Sequence, residues 1–252
     1  MACKPVPTLP GPVAAAITPR NAHGEIDFGA AFELIDFLCR GGVGGIALFT
    51  PVGEYASLAP EDRSRLVYLA VKRSRTPIYA GVGAATLDGA LTLAREARDA
   101  GAKALLLPPP HGFAYGQDDI REFYLQFAAQ AGNHVPVYLM DAPGLATPIA
   151  KETADELVSS GRFAGVADFL DEAACAAPEF VVAGMNAELS ELVRWIGEFP
   201  APVALKTAVA MRGIKTGPLS APLTPAKQGR LEEFRAWFAG LLPKAKKLRV
   251  HA

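Results

Sequence analysis

Pro77-Ile78-Tyr79-Ala80-Gly81-Val82-Gly83 is almost wholly apolar, with no polar face. A strand with one wet face alternates apolar and polar residues. A strand buried on both faces does not, and such strands belong to parallel sheets covered by helices. A helical pattern follows over residues 87–100 and stops at Gly101, a residue suited to a helix C-terminus. The couplet repeats in both directions. Upstream, residues 11–18 (GPVAAAIT) precede a helical pattern at 28–39, and residues 45–50 (GIALFT) precede one at 60–74. Pro60 suits the first turn of that helix, and Glu61 and Asp62 suit its positive end. Downstream, residues 104–107 end in Pro108 to Pro110, and a helix follows at 118–130. Residues 135–141 (VPVYLMD) precede a helix near 151–160, and residues 163–168 (FAGVAD) form a sixth strand candidate. A weaker seventh, residues 180–185 (FVVAGM), precedes a helix near 188–199. From Val203 the chain reads as mostly helical.

Repeated strand–helix units give right-handed crossovers, in a barrel or an open doubly wound sheet. No Gly-x-Gly-x-x-Gly sits at the first strand–helix turn, which argues against a dinucleotide site. The 252 residues suit one α/β barrel. The expected division is a barrel over 1–200 and a C-terminal helical extension of the same domain over 201–252. Half the residues are hydrophobic, too many for a disordered chain. Lys plus Arg total 25 against 26 Asp plus Glu, so the basic face of a nucleic-acid binder is not expected. No run of about 18 uncharged apolar residues predicts a membrane span. Cys3, Cys39 and Cys175 form neither a disulfide framework nor a zinc-site spacing. MACKPVPTLPGP lacks the apolar core of a signal peptide, and a cytoplasmic location is expected. Lys244, Lys246, Lys247 and Arg249 suit a solvated helix end.

In a parallel barrel, reactive groups gather at the C-terminal ends of strands. Those ends offer Thr50, Gly53 and Glu54 after strand two, and His111 beyond the prolines of strand four. Asp141 closes strand five and Asp168 closes strand six. Glu54 and His111 are the catalytic candidates, as acid/base groups. Glu54 also reads as a buried carboxylate that organises loops. Glu54, His111, Asp141 and Asp168 resemble a metal set on paper. Period-two alternation turns Asp141 and Asp168 away if Met140 and Ala167 face the axis, so no metal and no cofactor is expected. Asp141 and Asp168 then serve as loop and pocket residues.

Gly53-Glu54 with Leu58 and Glu61, the strand at 77–83, Ala100-Gly101-Ala102 with Leu105 to Pro109, Pro143-Gly144, and residues 202–206 with Gly217-Pro218-Leu219 resemble the dihydrodipicolinate synthase and N-acetylneuraminate lyase family. The resemblance implies a (β/α)₈ TIM-type barrel with a C-terminal helical extension, commonly homo-oligomeric. It also implies a lyase, an aldolase or dehydratase acting on a small 2-keto acid or sugar acid through a Schiff base on a strand-six lysine. This chain departs at the positions that carry that chemistry. The lysine position is Ala167, and the strand-five tyrosine position is Met140. Two threonine positions are Pro51 and Val52, and an arginine position is Leu145. Alanine has no amine with which to form an iminium. Only Lys206 and Lys215 are placed to approach the mouth, and Tyr138 reads as core one layer deeper than Met140. One βα unit is also missing after strand six. The alternative to a lyase is therefore an inactive barrel that binds a small ligand or a protein partner.

Overall fold

The computed structural model describes residues 12–132 and 134–249. Cys3, Lys4, the N-terminal segment and His251 lie outside the described residues. Seven parallel strands form one sheet: β1 (Val13–Ala15), β2 (Gly45–Leu48), β3 (Ile78–Gly81), β4 (Ala104–Leu107), β5 (Val137–Leu139), β6 (Gly165–Val166) and β7 (Leu170–Asp171). Their order is β6-β5-β4-β3-β2-β1-β7. The crossovers are α1 (Phe28–Arg40), α2 (Pro60–Arg73), α3 (Leu87–Ala100), α4 (Gln117–Ala131) and α5 (Lys151–Ser159). After the sheet come α6 (Ala173–Ala176), α7 (Pro178–Ala183), α8 (Asn186–Gly197), α9 (Val203–Met211) and α10 (Pro225–Arg249).

The unbroken apolar runs reflect two apolar layers, one on each face of the sheet. Along β4 and β5, Leu105, Leu107, Val137 and Leu139 join the large layer beneath the helices. Their neighbours Leu106 and Met140 join a small inner cluster with Val13, Ala47, Tyr79 and Ala104. Tyr138, Ala167 and Phe169 pack on that inner cluster. Alternate residues thus face opposite sides, and both sides are apolar. Gly45 makes room for an inner ring: a Cβ there would lie 2.7 Å from Cε2 of Tyr79.

The sheet closes in a way the sequence pattern does not announce. β6 pairs with β5 (Tyr138↔Gly165, Leu139↔Val166), and β7 pairs with β1 (Val13↔Leu170, Ala14↔Asp171). Only Ala167, Asp168 and Phe169 join β6 to β7. The two edges of the sheet therefore lie within a three-residue link, so the sheet must curl. One bent segment serves as its seam, where a further strand–helix–strand crossover would otherwise stand. The fold is a TIM-type (β/α) barrel, incomplete after strand six, with helices at its C-terminus. The Phe169 ring fills the interior, with its centroid 4.8 Å from that of Tyr138 and 5.9 Å from that of Tyr79. Val166 is left 42% exposed at the seam.

Residues 180–185, expected as a seventh strand, are instead mostly in α7. Pro178 starts that helix, and Gly184 stops it in the left-handed conformation (φ 67°). A short apolar run does not by itself distinguish a strand from a buried helix. α6 packs on β1, and the backbone N–H of Ile17 donates to Sγ of Cys175 at 3.5 Å. Arg212, which caps the end of α9, pairs with Glu179 of α7 at 2.6 Å in the interior. Trp195 and Phe199 meet Phe234 of α10 through their rings, which fixes the last helix to α8.

Candidate functional site

The loop after β2 has unusual backbone geometry. Phe49 (φ 60°) and Glu54 (φ 56°) both lie in the left-handed region, which side-chain-bearing residues rarely occupy. Between and beyond them are two short 3₁₀ turns, Pro51–Gly53 and Tyr55–Ser57. The Thr18 hydroxyl donates to the Gly53 carbonyl at 2.7 Å and ties this loop to the end of β1.

The turn directs the Glu54 carboxylate into a buried ion cluster. Its Oε2 lies 2.6 Å from Nζ of Lys206 on α9. Its Oε1 lies 3.4 Å from Nη2 of Arg20 and accepts from the Ser220 hydroxyl. Arg20 also donates to the Ser57 hydroxyl and to the Gly24 carbonyl. Side-chain exposure is 2% for Lys206, 8% for Glu54 and 10% for Arg20. Burial pulls the Lys206 ammonium below its ordinary pKa, and the hydrogen bond and charge of Glu54 oppose that shift. Glu54 thereby joins the segment after β1, the loop after β2, α9 and the segment before α10.

A second cluster lies beside the first. Arg63 of α2 is buried and donates to the carbonyls of Gly81 and Gly83, both at 2.8 Å. Its guanidinium lies 5.4 Å from the ring centroids of both Phe49 and Tyr55. Burial lowers the Arg63 pKa to about 10 and raises that of the Tyr55 phenol to about 12. His111 meets Tyr55 edge-on at 5.5 Å. Burial, and then the Arg63 charge, hold the His111 imidazole below its ordinary pKa. Thr50 Oγ1, Tyr55 OH and His111 Nδ1 are buried with no hydrogen-bond partner. By contrast, the Tyr124 hydroxyl donates to the Leu107 carbonyl at 2.9 Å.

Thr50, Pro51, Val52, Gly53 and Glu54 lie together in the loop after β2, with His111 next to Tyr55. Met140 and Ala167 lie with Tyr138 in the inner cluster. Asp141 and Asp168 are exposed, and Asp141 Oδ1 accepts from the N–H of Ala142 at 3.1 Å. Among the described residues, no three His, Cys, Asp or Glu side chains gather as a metal set. Lys206 reaches the mouth but is engaged by Glu54, whereas Lys215 is exposed. Arg20, Arg63 and Ser220 were not singled out in the sequence. The available signal was positional for Arg20, which closely follows the end of β1. For Ser220, 166 residues from Glu54, there was none. A cleft of about 470 Å³ opens at this end, lined in part by Pro51, Glu54, Ser57, Leu145, Ala201 and Ser220.

Comparison with known proteins gives the geometry its context. The model of the Dihydrodipicolinate synthetase family matches residues 8–177. The 4-hydroxy-tetrahydrodipicolinate synthase of Pseudomonas putida (strain W619) is 34% identical over 140 residues, covering 54% of this chain and 47% of that enzyme. That of Laribacter hongkongensis (strain HLHK9) is 35% identical over 139 residues, covering 54% and 47%. The chain thus spans about half the length of these two relatives. The synthase of Thermodesulfovibrio yellowstonii is 26% identical over 246 residues, covering 94% of this chain and 78% of that enzyme. Among solved structures, the 4-hydroxy-tetrahydrodipicolinate synthase of Methylacidiphilum fumariolicum SolV superposes with a TM-score of 0.78 at 22% identity, covering 96% of this chain and 99% of that one. A catalytic lysine mutant of the Ruminococcus gnavus sialic acid aldolase gives 0.76 at 18%, covering 94% and 97%. These two likenesses speak to the fold. Among the described residues no helix is long and apolar enough to cross a membrane. With two thirds of its length matched by the family model, the chain belongs to the dihydrodipicolinate synthetase family.

Proposed function

We propose that this chain is a ligand-binding barrel of the family that does not run Schiff-base chemistry. One observation carries the reading: among the described residues, the mouth holds no uncommitted buried amine. Ala167 stands where the family resemblance places the lysine, and it packs among Met140, Tyr138 and Phe169. Lys206, the buried lysine near the mouth, is held 2.6 Å from Glu54. An iminium needs a free, unprotonated amine beside the carbonyl carbon. Glu54 is occupied as the link between loops, so its role is organisation, not proton transfer. His111 remains as an acid/base candidate, its pKa held below the ordinary value by burial and then by the Arg63 charge.

The cleft suits a molecule the size of a small keto acid or sugar acid. The same reading places the chain in the cytoplasm, as a homo-oligomer, with no cofactor. A lyase reading has in its favour the family itself and the lowered pKa of Lys206 beside Glu54. To act, that amine would have to give up its 2.6 Å contact with Glu54, leaving the carboxylate to Arg20 and Ser220.

Exchange of the pyruvate methyl protons in deuterated water separates the two readings. A Schiff base passes through an enamine and labilises those protons. The expected proton spectrum shows no exchange beyond that in buffer. Exchange that depends on the protein, and that is lost in Lys206→Met, would establish the lyase reading instead.

A further inference from the structure

The geometry points to a second binding site, separate from the mouth cleft: a small cavity between β3, α2 and α3 that holds one halide-sized monovalent anion against Arg63. The cavity has a volume of about 10 Å³, room for a single small guest. Gly81 and Val82 at the end of β3, Arg63 and Ser64 of α2, and Leu93 and Ala97 of α3 are among the residues that line it. It shares no lining residue with the mouth cleft. Arg63 is 3% exposed, and among the described residues no carboxylate pairs with it. Its neighbours compensate in part. Nη1 and Nη2 donate to the carbonyls of Gly83 and Gly81, and the rings of Phe49 and Tyr55 lie 5.4 Å away. A guanidinium carries five N–H bonds, and these carbonyls take two of them. Nε is buried and has no partner. A buried charge is costly without an opposite charge beside it.

The lining favours an anion over water. Water gives hydrogen bonds as well as taking them, and a buried water has two to four polar partners. Here the Gly81 carbonyl already receives Arg63, and the Ser64 hydroxyl donates to Glu96, an exposed residue outside the lining. Val82, Leu93 and Ala97 bring no polar side chain. A monovalent anion needs donors and an opposite charge, and Arg63 supplies both. The apolar walls keep the local dielectric low, which strengthens that attraction. A tetrahedral oxyanion such as sulfate is too large for the space. The bound ion would hold Arg63 in place, and through it the Gly81 and Gly83 carbonyls.

Anomalous diffraction at the bromine edge tests this, on crystals grown with about 0.1 M sodium bromide as the sole halide. A dissociation constant at or below about 10 mM is expected, which fills at least about nine-tenths of the sites at that concentration. The expected map shows one bromide within hydrogen-bond reach of Arg63 Nε. Ala97→Val adds two carbons at a lining position and leaves Arg63 in place, and its peak should be lost. Arg63→Met removes the charge and should lose the peak as well. No bromide at Arg63 in the wild type, whether the cavity is empty or holds water, would overturn the inference. A peak of equal height in Ala97→Val, or bromide on surface cations alone, would mark an adventitious ion only and overturn it too. None of these outcomes bears on the ligand-binding reading of the mouth.

Discussion

Replacing Glu54 by Gln tests the ion cluster most sharply. The change keeps the shape of the side chain and its contact with Ser220 but removes the charge. Lys206 and Arg20, 2% and 10% exposed in their side chains, then face each other with no carboxylate between them. Removing one partner of a buried pair costs about 3–5 kcal/mol, because a desolvated charge is left behind. For a domain of this size each kcal/mol moves Tm by about 2–4 °C, so the drop should be about 6–20 °C. Lys206→Met should cost less, about 1–3 kcal/mol, because Glu54 keeps Arg20 at 3.4 Å and the Ser220 hydroxyl. The double variant removes both charges at once. Its cost should fall below the sum of the singles by about 1–3 kcal/mol. Urea unfolding followed by circular dichroism, with linear extrapolation, measures all three. If Glu54→Gln costs less than about 1 kcal/mol, or the double is additive within about 0.5 kcal/mol, the cluster does not hold the loops as described.

Other outcomes follow from the same geometry. The ordinary histidine pKa is about 6.5, and His111 is held below it in the folded chain. The unfolded chain therefore protonates first as pH falls, so the His111 contribution to stability is full above 6.5 and lost on acidification. An NMR titration of the ring should show a midpoint below 6.5; a midpoint above it would contradict the burial argument. Arg63→Met leaves the Gly81 and Gly83 carbonyls without their donors and should cost about 2–4 kcal/mol in urea unfolding. A cost under about 1 kcal/mol would show that water replaces the guanidinium freely. Cys175 is fully buried, and its thiol is pushed up to about 12. Peptide mapping after treatment with a thiol reagent should find it unlabelled in the native protein and labelled in denaturant; fast native labelling would contradict the packing of α6 on β1.

Parts of this molecule are legible in the sequence for clear reasons. β3, β4 and β5 stand out because both of their faces are apolar, so every residue carries the signal. Tyr138 and Met140 fall on the inner face because alternation from Leu139 puts them there. The seam is not legible. β6 and β7 have two residues each, and glycine and aspartate are among them. Such short strands exist only because β5 and β1 supply partners from outside. Residues 180–185 mislead because Phe180 and Val181 suit a strand and a buried helix turn alike. The Glu54 cluster was half legible. The Gly53-Glu54 turn is local, but Lys206 and Ser220 reach it only through the fold.

The measurement that bears most directly on the proposed loss of Schiff-base chemistry is reductive trapping. The protein is incubated with pyruvate and borohydride, and its intact mass is read beside a lysine-bearing family member treated alike. The expected result is an unchanged mass here and a covalent gain in the companion. A gain equal to reduced pyruvate, mapped to Lys206 or any other lysine, would show that this barrel has found another amine and would contradict the proposed function.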